Sequence, residues 1–221
     1  MKISVIIPSY NKWELTNSLL IELNQWCGDR IHQVVLIDDA SEEAFGHLNF
    51  WKEVLPWVYY RNETNMGFGK SMNKGAEIAT GDIFVFLSND VLIRSDFTQE
   101  ITQLISANKE ILIGAELLQH DTGWNVFNNT IIPYLHGWFL ACHRDVWEKL
   151  GGFDWELYGA SDYEDIDLCV AAHQNNIMLV QLKNQVLKHL VARTFGYTDE
   201  RRERTEGNKI KFAKKWNDIL F

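Results

Sequence analysis

Four short apolar segments, each followed by polar residues and then by a helix-like pattern, constrain the fold of this 221-residue chain most strongly. They span residues 3–7, 34–37, 57–60 and 83–87. Their β-branched and aromatic side chains predict buried strands, and the intervals between them are too long for hairpins. Such alternation is typical of βαβ units, in which helices cover both faces of a parallel sheet. We therefore predict an α/β fold with a mostly parallel central sheet.

The alternation becomes less regular after residue 91. Helices are predicted over about 96–107, 144–150, 162–174 and 198–217, and strands over 111–114, 177–180 and 186–187. Because no internal repeat or low-complexity linker separates the two halves, we expect one continuous domain with a smaller second lobe packed on the first. Its parts are residues 1–95, 96–195 and a C-terminal helix over 196–221.

Composition excludes several classes of protein. The formal net charge of −9 argues against non-specific nucleic-acid binding, which requires basic faces. No apolar run reaches about 18 residues, so we expect no membrane-spanning helix and no signal peptide, which leaves only peripheral membrane contact open. Cys27, Cys142 and Cys169 are widely spaced and form no CxxC pair. That pattern predicts reduced thiols and a cytoplasmic location.

Polar side chains follow three of the predicted strands. They are Pro8, Ser9 and Tyr10, then Asp38 and Asp39, and finally Ser88, Asn89 and Asp90. Ligands of open α/β sheets bind at the carboxyl ends of the strands, so we expect these residues to lie together. A ring such as Tyr10 can stack on a base, and a carboxylate such as Asp39 can accept the imide N–H of uracil or thymine. The alternative for Asp38 and Asp39 is a helix N-cap.

The segment from Asn65 to Lys70 has the composition of a phosphate-binding turn. Gly67 and Gly69 permit close backbone approach at a helix N-terminus. Met72 occupies the place of the third glycine of a dinucleotide fingerprint, and no GxxxxGK[ST] motif is present. A left-handed turn without a ligand is therefore the alternative.

An acidic cluster spans residues 162–167. Ser161 and Glu164 have the spacing of a capping box, which would make Glu164 a structural residue. Asp165 is then the freer carboxylate, and we expect its position near a helix N-terminus to keep it ionised, as a general base must be. The alternative is a solvated acidic helix start.

His189 lies between apolar residues, where a histidine is commonly a hydrogen-bonded part of the core. If it faces Asp90, the imidazole, the carboxylate and diphosphate oxygens together would suit Mn²⁺ or Mg²⁺. Most tryptophans are expected in the core, while one or two, with Trp138 as the candidate, could form a platform on which a sugar stacks.

Seven segments, in this order along the chain, resemble the motifs of the family 2 glycosyltransferases of the GT-A fold. They are VIIPSYN (5–11), VLIDDAS (35–41), NMGFG (65–69) with Asn73 and Gly75, Gly81-Asp82 with LSND (87–90), GGFD (151–154), EDIDL (164–168) and His189. Each is weak alone, and the resemblance rests on their common order from residue 3 to about 216. It implies a Rossmann-like sheet flanked by helices, with a smaller acceptor-side lobe.

The resemblance also implies an activity. A hexosyl or deoxyhexosyl group would pass, with inversion, from a UDP- or dTDP-linked sugar to a hydroxyl of a polysaccharide, a lipid-linked sugar or another acceptor, assisted by Mn²⁺ or Mg²⁺. By position, Asp165 would be the base, and Asp90 and His189 the metal ligands, with Glu164, Ser88 and Trp138 in secondary roles. The implied nucleotide contacts are Pro8, Ser9, Tyr10, Asp38, Asp39, Asn65, Gly67, Phe68, Lys70 and Asn89. Residues 1–95 would then bind the donor, and residues 96–195 the acceptor.

One position departs from the family pattern. Ser88 replaces the first aspartate of the D-x-D motif, which leaves one carboxylate for a cation. A catalytically weak or inactive protein that binds a nucleotide or glycan therefore remains an alternative. A sugar nucleotidyltransferase is a weaker alternative, because it would need a glycine-rich loop after the first strand and residues 8–12 contain no glycine.

Overall fold

A seven-stranded sheet forms the centre of this computed structural model, which describes residues 1–42, 48–118, 126–127, 130–183, 186–190 and 198–220. The strands are β1 (Ile3–Ser9), β2 (Ile31–Asp38), β3 (Trp57–Arg61), β4 (Ile83–Leu87), β5 (Val91–Ile93), β6 (Ile111–Gly114), β7 (Leu117–Leu118), β8 (Val126–Phe127), β9 (Thr130–Ile131), β10 (Tyr134–Leu135), β11 (Phe139–His143), β12 (Met178–Gln181) and β13 (Leu187–His189). The helices are α1 (Trp13–Cys27), α2 (Leu48–Val54), α3 (Phe68–Ile78), α4 (Thr98–Ala107), α5 (Arg144–Leu150), α6 (Trp155–Tyr158), α7 (Glu164–Gln174) and α8 (Asp199–Leu220), with a 3₁₀ turn at Gly28–Arg30.

The sheet has the order β12-β6-β11-β4-β1-β2-β3. Strand β11 runs antiparallel to β4 and β6, and the other pairs are parallel. The predicted mostly parallel α/β sheet is therefore confirmed. Because β1 pairs in parallel with both β2 and β4, the carboxyl ends of these three strands reach the same edge of the sheet. Strands from both halves of the chain belong to this one sheet.

Two apolar cores cover the two faces of the sheet. Alternate strand residues point to opposite faces, as the period of two requires. Val5 and Val85 pack on one face with residues of α1 and α4. Ile6 and Phe86 pack on the other face with residues of α3, α5 and α7. The short, uninterrupted apolar runs of the sequence thus reflect strands that are buried on both faces.

Strand β11 was missed by the sequence analysis, which found only a mixed region there. All five of its residues are buried, but Phe-Leu-Ala-Cys-His contains no β-branched side chain, so its strand propensity is weak. The two-stranded ribbon of β5 and β13 was also missed in part, because Val91–Ile93 is only three residues long. Both elements position residues of the site described below.

The C-terminal helix α8 fastens the segment between α6 and α7. Its Asn208 is 1% exposed and donates from Nδ2 to the carbonyls of Tyr158, Ser161 and Asp162 at 2.9–3.0 Å. Further along α8, Trp216 donates from Nε1 to Asp167 Oδ1 at 2.7 Å, so the helix also holds α7. A largely charged surface helix is thereby part of the structural framework.

Two expectations from composition can be compared with the structure. Cys27, Cys142 and Cys169 are buried free thiols. Within the described ranges, no helix combines the length and the apolar character that a bilayer span needs.

Replacing Asn208 tests how strongly α8 holds this segment. We expect Asn208→Ala to lower the free energy of unfolding by about 1–3 kcal/mol, because buried carbonyls lose their donor. Urea denaturation measures the change. The control is Asn24→Ala, an exposed asparagine within α1. Equal unfolding midpoints for both variants would show that the Asn208 contacts contribute nothing.

Candidate active site

A cavity of about 1240 Å³ opens at the carboxyl edge of the sheet. The predicted site residues in its lining are Pro8, Ser9, Tyr10, Asp39, Phe68, Ser88, Asn89, Asp90, Trp138, Glu164, Asp165 and His189. Four others, Asp38, Asn65, Gly67 and Lys70, do not line it. Residues far apart in the sequence are therefore brought to one place.

Asp39 holds the loop before α3. The residue is 4% exposed, and its carboxylate accepts hydrogen bonds from Asn62 Nδ2 at 2.7 Å, from the Met66 N–H at 2.7 Å and from the Gly67 N–H at 2.9 Å. Of these, only the Gly67 bond reaches Oδ2. Asp39 thus stabilises the loop before α3 and also lines the cavity.

The phosphate-turn interpretation of residues 65–70 requires correction. The amides of Met66 and Gly67 donate to Asp39, and the Phe68 amide donates to the Ala160 carbonyl at 2.8 Å. Gly67 has φ +83°, and a Cβ there would lie 2.5 Å from Ala160 Cα, so only glycine fits this approach. These amides are occupied by protein acceptors instead of pointing at a ligand.

Lys70 and Asn65 also contact protein groups. The Lys70 ammonium lies 3.7 Å from the centre of the Trp155 ring. Asn65 Oδ1 accepts from the Gly67 N–H at 3.2 Å. Neither residue lines the cavity, and their nucleotide contacts stay a prediction.

Asp38 belongs to the scaffold and not to the cavity wall. It is completely buried and accepts from the Ser41 N–H at 2.9 Å, from the Tyr59 hydroxyl at 2.8 Å and from the Arg61 guanidinium. Burial, followed by the hydrogen bond to Asp38, raises the pKa of Tyr59 to about 12. The expected nucleotide contact of Asp38 is replaced by these bonds to β3 and to the loop after β2.

Ser9 and Asn89 fasten two neighbouring strand ends to each other. Asn89 Nδ2 lies 3.1 Å from Thr16 Oγ1 and 3.4 Å from Ser9 Oγ, and the two hydroxyls are 2.6 Å apart. All three side chains are buried. Of the three, Ser9 and Asn89 line the cavity, at the ends of β1 and β4.

Asp90 and His189 face each other across the β5–β13 ribbon. His189 Nε2 lies 3.1 Å from Asp90 Oδ1, and the Leu190 N–H donates to the Asp90 carbonyl at 2.9 Å. The Trp138 ring stacks on His189, with 5.2 Å between ring centres and an interplanar angle of 12°. Trp138 is 7% exposed and lines the cavity, and its role as a sugar platform stays a prediction.

The pair offers one carboxylate oxygen and one imidazole nitrogen, donors that fit Mn²⁺. No group of three or more His, Cys, Asp or Glu side chains arranged to hold a metal occurs in the described part of the chain. A cation at Asp90 and His189 would therefore need further oxygens, such as those of a diphosphate.

The start of α7 differs from the predicted capping box. The helix begins at Glu164, and Asp162 and Tyr163 before it have φ of +78° and +83°. Ser161 Oγ accepts from Arg204, and no side chain caps the helix. The capping-box prediction was therefore wrong, and Glu164 is 7% exposed in the cavity wall.

Asp165 is held by backbone donors. Its Oδ2 accepts from the Gly137 N–H and its Oδ1 from the Ile166 N–H, both at 2.9 Å. A Cβ on Gly137 would come within 3.1 Å of Asp165 Cβ, so the backbone at residue 137 packs directly against this side chain.

Burial raises the pKa of both carboxyls above their usual values. For Glu164 burial is the largest cause, and the Asp165 charge adds to it. For Asp165 burial outweighs the opposing effects of His136 and of the Gly137 and Ile166 N–H groups. The expectation that a helix N-terminus keeps the Asp165 pKa low is corrected accordingly.

Helix α8 reaches the same region through Asp162. Arg201 and Arg204 donate to the two oxygens of this carboxylate at 2.9 and 3.2 Å, and Thr205 donates at 3.1 Å. Sequence analysis missed these residues because nothing in a charged helix indicates which arginine turns inward. It also missed Arg94, His136 and Lys188, which line the cavity without any motif.

Comparison with known proteins identifies the family. The model described as glycosyl transferase family 2 matches residues 4–153. This chain belongs to that family. A relative, an uncharacterized glycosyltransferase of Haemophilus influenzae, is 32% identical over 178 residues, which cover 73% of this chain and 60% of the relative. The chain thus spans about six tenths of that relative's length.

Solved structures of similar shape confirm the GT-A fold of this family 2 chain. The mannosyltransferase PcManGT of Pyrobaculum calidifontis, solved with GDP-Man and Mn²⁺, superposes with a TM-score of 0.74 at 18% identity, covering 98% of this chain and 64% of the other. GalNAc-T7, solved with UDP, GalNAc and Mn²⁺, gives a TM-score of 0.78 at 16% identity, covering 100% and 49%.

An amide substitution tests whether Asp39 stabilises the loop before α3. Asp39→Asn places an NH₂ group against N–H donors, so we expect a loss of about 1–3 kcal/mol in the free energy of unfolding. Urea denaturation measures it. Glu63→Gln, an exposed carboxyl on the same loop, is the matched control and should stay near the parent value. A stable Asp39→Asn variant would contradict the role.

Proposed function

We propose that this chain transfers a sugar from a nucleotide-diphosphate sugar to an acceptor hydroxyl, with inversion at the anomeric carbon. One observation carries the proposal. Tyr10, Asp39, Asp90, Asp165 and His189 line a single cavity, although they come from distant segments of the chain. Stacking, hydrogen-bonding, metal-binding and proton-accepting groups are the set that such a reaction requires.

The donor end of the cavity is assigned to Tyr10 and Asp39. Tyr10 offers a ring for stacking on a base. Asp39 Oδ2 accepts one described hydrogen bond, from Gly67, and can accept a second from the imide N–H of uracil or thymine. This chemistry favours a UDP- or dTDP-linked sugar, with residues 1–95 as the donor-binding half.

Asp90 and His189 would hold a divalent cation, with Mn²⁺ as the candidate. Both similar solved proteins contain Mn²⁺, and the donor atoms of this pair suit it. When bound, the cation would neutralise charge on the diphosphate. Because the protein supplies only two such ligands in the described residues, we expect metal and nucleotide to bind together.

Asp165 is the proposed general base. It accepts the proton of the acceptor hydroxyl while that oxygen forms a bond to the anomeric carbon. The bond from this carbon to the diphosphate breaks on the opposite side, and its electron pair leaves with the diphosphate. The bonds from Gly137 and Ile166 fix the carboxylate for this transfer. General-base help is worth about 10²–10⁴ in rate.

The acceptor is assigned to the side formed by residues 96–195, where Asp165 lies. Its proposed class is a hydroxyl of a glycan, of a lipid-linked sugar or of another molecule. The three buried thiols suit a reducing compartment, and we propose the cytoplasm.

Ligand-induced stabilisation tests donor and metal together. We expect UDP or dTDP at 100 times Kd with Mn²⁺ to stabilise the fold by about 2.7 kcal/mol, and EDTA to remove most of this effect. Thermal denaturation with UDP, dTDP and GDP measures the preference. Asp90→Asn should lose the Mn²⁺-dependent part, while Asp29→Asn, at an exposed site, should keep it. Equal shifts with and without Mn²⁺ would refute the metal assignment. A larger shift with GDP than with UDP or dTDP would refute the assignment of uracil or thymine as the nucleobase.

The base is tested by Asp165→Asn. We expect turnover to fall about 10²–10⁴-fold, with nucleoside diphosphate affinity within twofold, because the amide cannot accept the proton. Release of nucleoside diphosphate from UDP-glucose, UDP-GlcNAc, dTDP-glucose and GDP-mannose measures turnover, and Asp29→Asn is again the control. Unchanged turnover would remove Asp165 from the role. Nucleotide binding without release by the parent protein would favour the non-catalytic alternative raised by Ser88.

A further inference from the structure

Glu164 is a carboxyl of the cavity wall to which the proposed reaction gives no role. It lies next to Asp165 and is only 7% exposed. Its Oε2 is buried and has no hydrogen-bond partner among the described residues. A buried polar atom in this condition is rare and calls for a physical explanation.

An ionised Glu164 would be costly here. A buried carboxylate without a partner for one oxygen bears a large desolvation penalty and responds by keeping its proton. Burial does raise its pKa, and the neighbouring charges of Asp165 and Asp162 act in the same direction. A neutral carboxyl avoids that penalty and gains an O–H donor.

The groups that surround Glu164 come from several elements. Asp165 lies beside it on α7, Asp162 precedes it in the loop, and Tyr158 of α6 is also within electrostatic range. Arg204 of α8 favours the ionised form, but it is also bound to Ser161 Oγ at 3.0 Å and to Asp162 at 3.2 Å. Its charge is therefore shared with a second carboxylate, and burial remains the larger effect on Glu164.

We propose that Glu164 is a protonated carboxyl that donates a hydrogen bond to the acceptor hydroxyl beside Asp165. The two neighbouring acids then have different tasks, because Glu164 orients the hydroxyl oxygen and Asp165 takes its proton. In many active sites, two neighbouring carboxyls act as donor and base because their environments give them different pKa values. The role of Glu164 presupposes the sugar transfer proposed above.

The protonation of Glu164 can be measured on the protein alone. Infrared difference spectra between the parent and Glu164→Gln at pH 7 should contain the carbonyl band of a protonated carboxyl, and Glu156→Gln, at an exposed site, should not remove this band. No band assigned to Glu164 would overturn the proposal.

Stability gives a second measurement with a definite sign. The pKa of Glu164 is higher in the folded state than in the unfolded state. The stability that the protonated Glu164 gives to the fold is therefore complete below the unfolded-state pKa and is lost as pH rises through the folded-state pKa. The Tm of Glu164→Gln should therefore match the parent at pH 4 and exceed it at pH 9. A constant difference across this range would contradict a proton held by Glu164.

Contact with the acceptor is tested with water as the simplest hydroxyl. At pH 7, Glu164→Gln should release nucleoside diphosphate from the four nucleotide sugars named above at a rate within about threefold of the parent, because it keeps an N–H donor. Its rate should not show the decline at alkaline pH that we expect of the parent. Glu164→Leu, which has no donor, should release at least about tenfold less than the parent at pH 7, and the two rates should converge at alkaline pH, where the parent loses the proton of Glu164. Parent-like release by Glu164→Leu at pH 7, or loss in Glu164→Gln as large as in Asp165→Asn, would overturn the role. Unchanged release by Asp165→Asn would instead count against the proposed base, while the infrared result would still decide the proton on Glu164.

Discussion

Parallel pairing of β1 with β2 and β4 is the constraint on which the rest of the structure depends. Ser9 lies opposite Asp38, so β1 and β2 end at the same level of the sheet, and Ile6 lies opposite Phe86, so β4 ends within two residues of that level. Tyr10, Asp39 and Asp90 follow these ends within three residues. Their proximity is thus a consequence of backbone register, and it does not depend on contacts among the three side chains. The polar ends of the apolar runs are where such a sheet can place reactive groups without interrupting its core.

Buried hydrogen bonds at the rim of the sheet determine which of these polar residues remain available. Asp38 and Asp39 are adjacent, but side chains alternate along a strand, and Asp38 meets Tyr59 and Arg61 on the neighbouring β3. Asp39 is one residue further and reaches the loop before α3. A sequence pattern places both acids at the strand end. Only the partners across the sheet decide that one is scaffold and the other faces the cavity.

The sequence therefore predicted the parallel half of the fold well and the second half less well. Short uninterrupted apolar runs and helical spacing are local properties, and they located β4 in the first half, and β6 and α5 in the second, to the residue. Strand β11 lacks β-branched residues and depends on its neighbours in the sheet, so no local signal indicates it. The acidic cluster was misread for the same reason. A capping box is a local pattern, whereas the conformation before Glu164 is set by α8, which is distant in sequence.

Residues 136–138 contact both the candidate base Asp165 and the candidate metal ligand His189. His136 acts to lower the pKa of Asp165, and the Gly137 amide donates to this carboxylate at 2.9 Å. The next residue, Trp138, stacks on His189, and its carbonyl accepts from the Ser88 N–H at 2.9 Å. One short segment before β11 thus touches the candidate base, the candidate metal ligand and the end of β4. The segment leads directly into β11, which pairs with β4 on one edge and with β6 on the other. Its contacts thus relate the position of the candidate base to that of the candidate metal ligand. A defined spacing is what the proposed in-line displacement requires, since the attacking and departing oxygens must lie on opposite sides of one carbon atom.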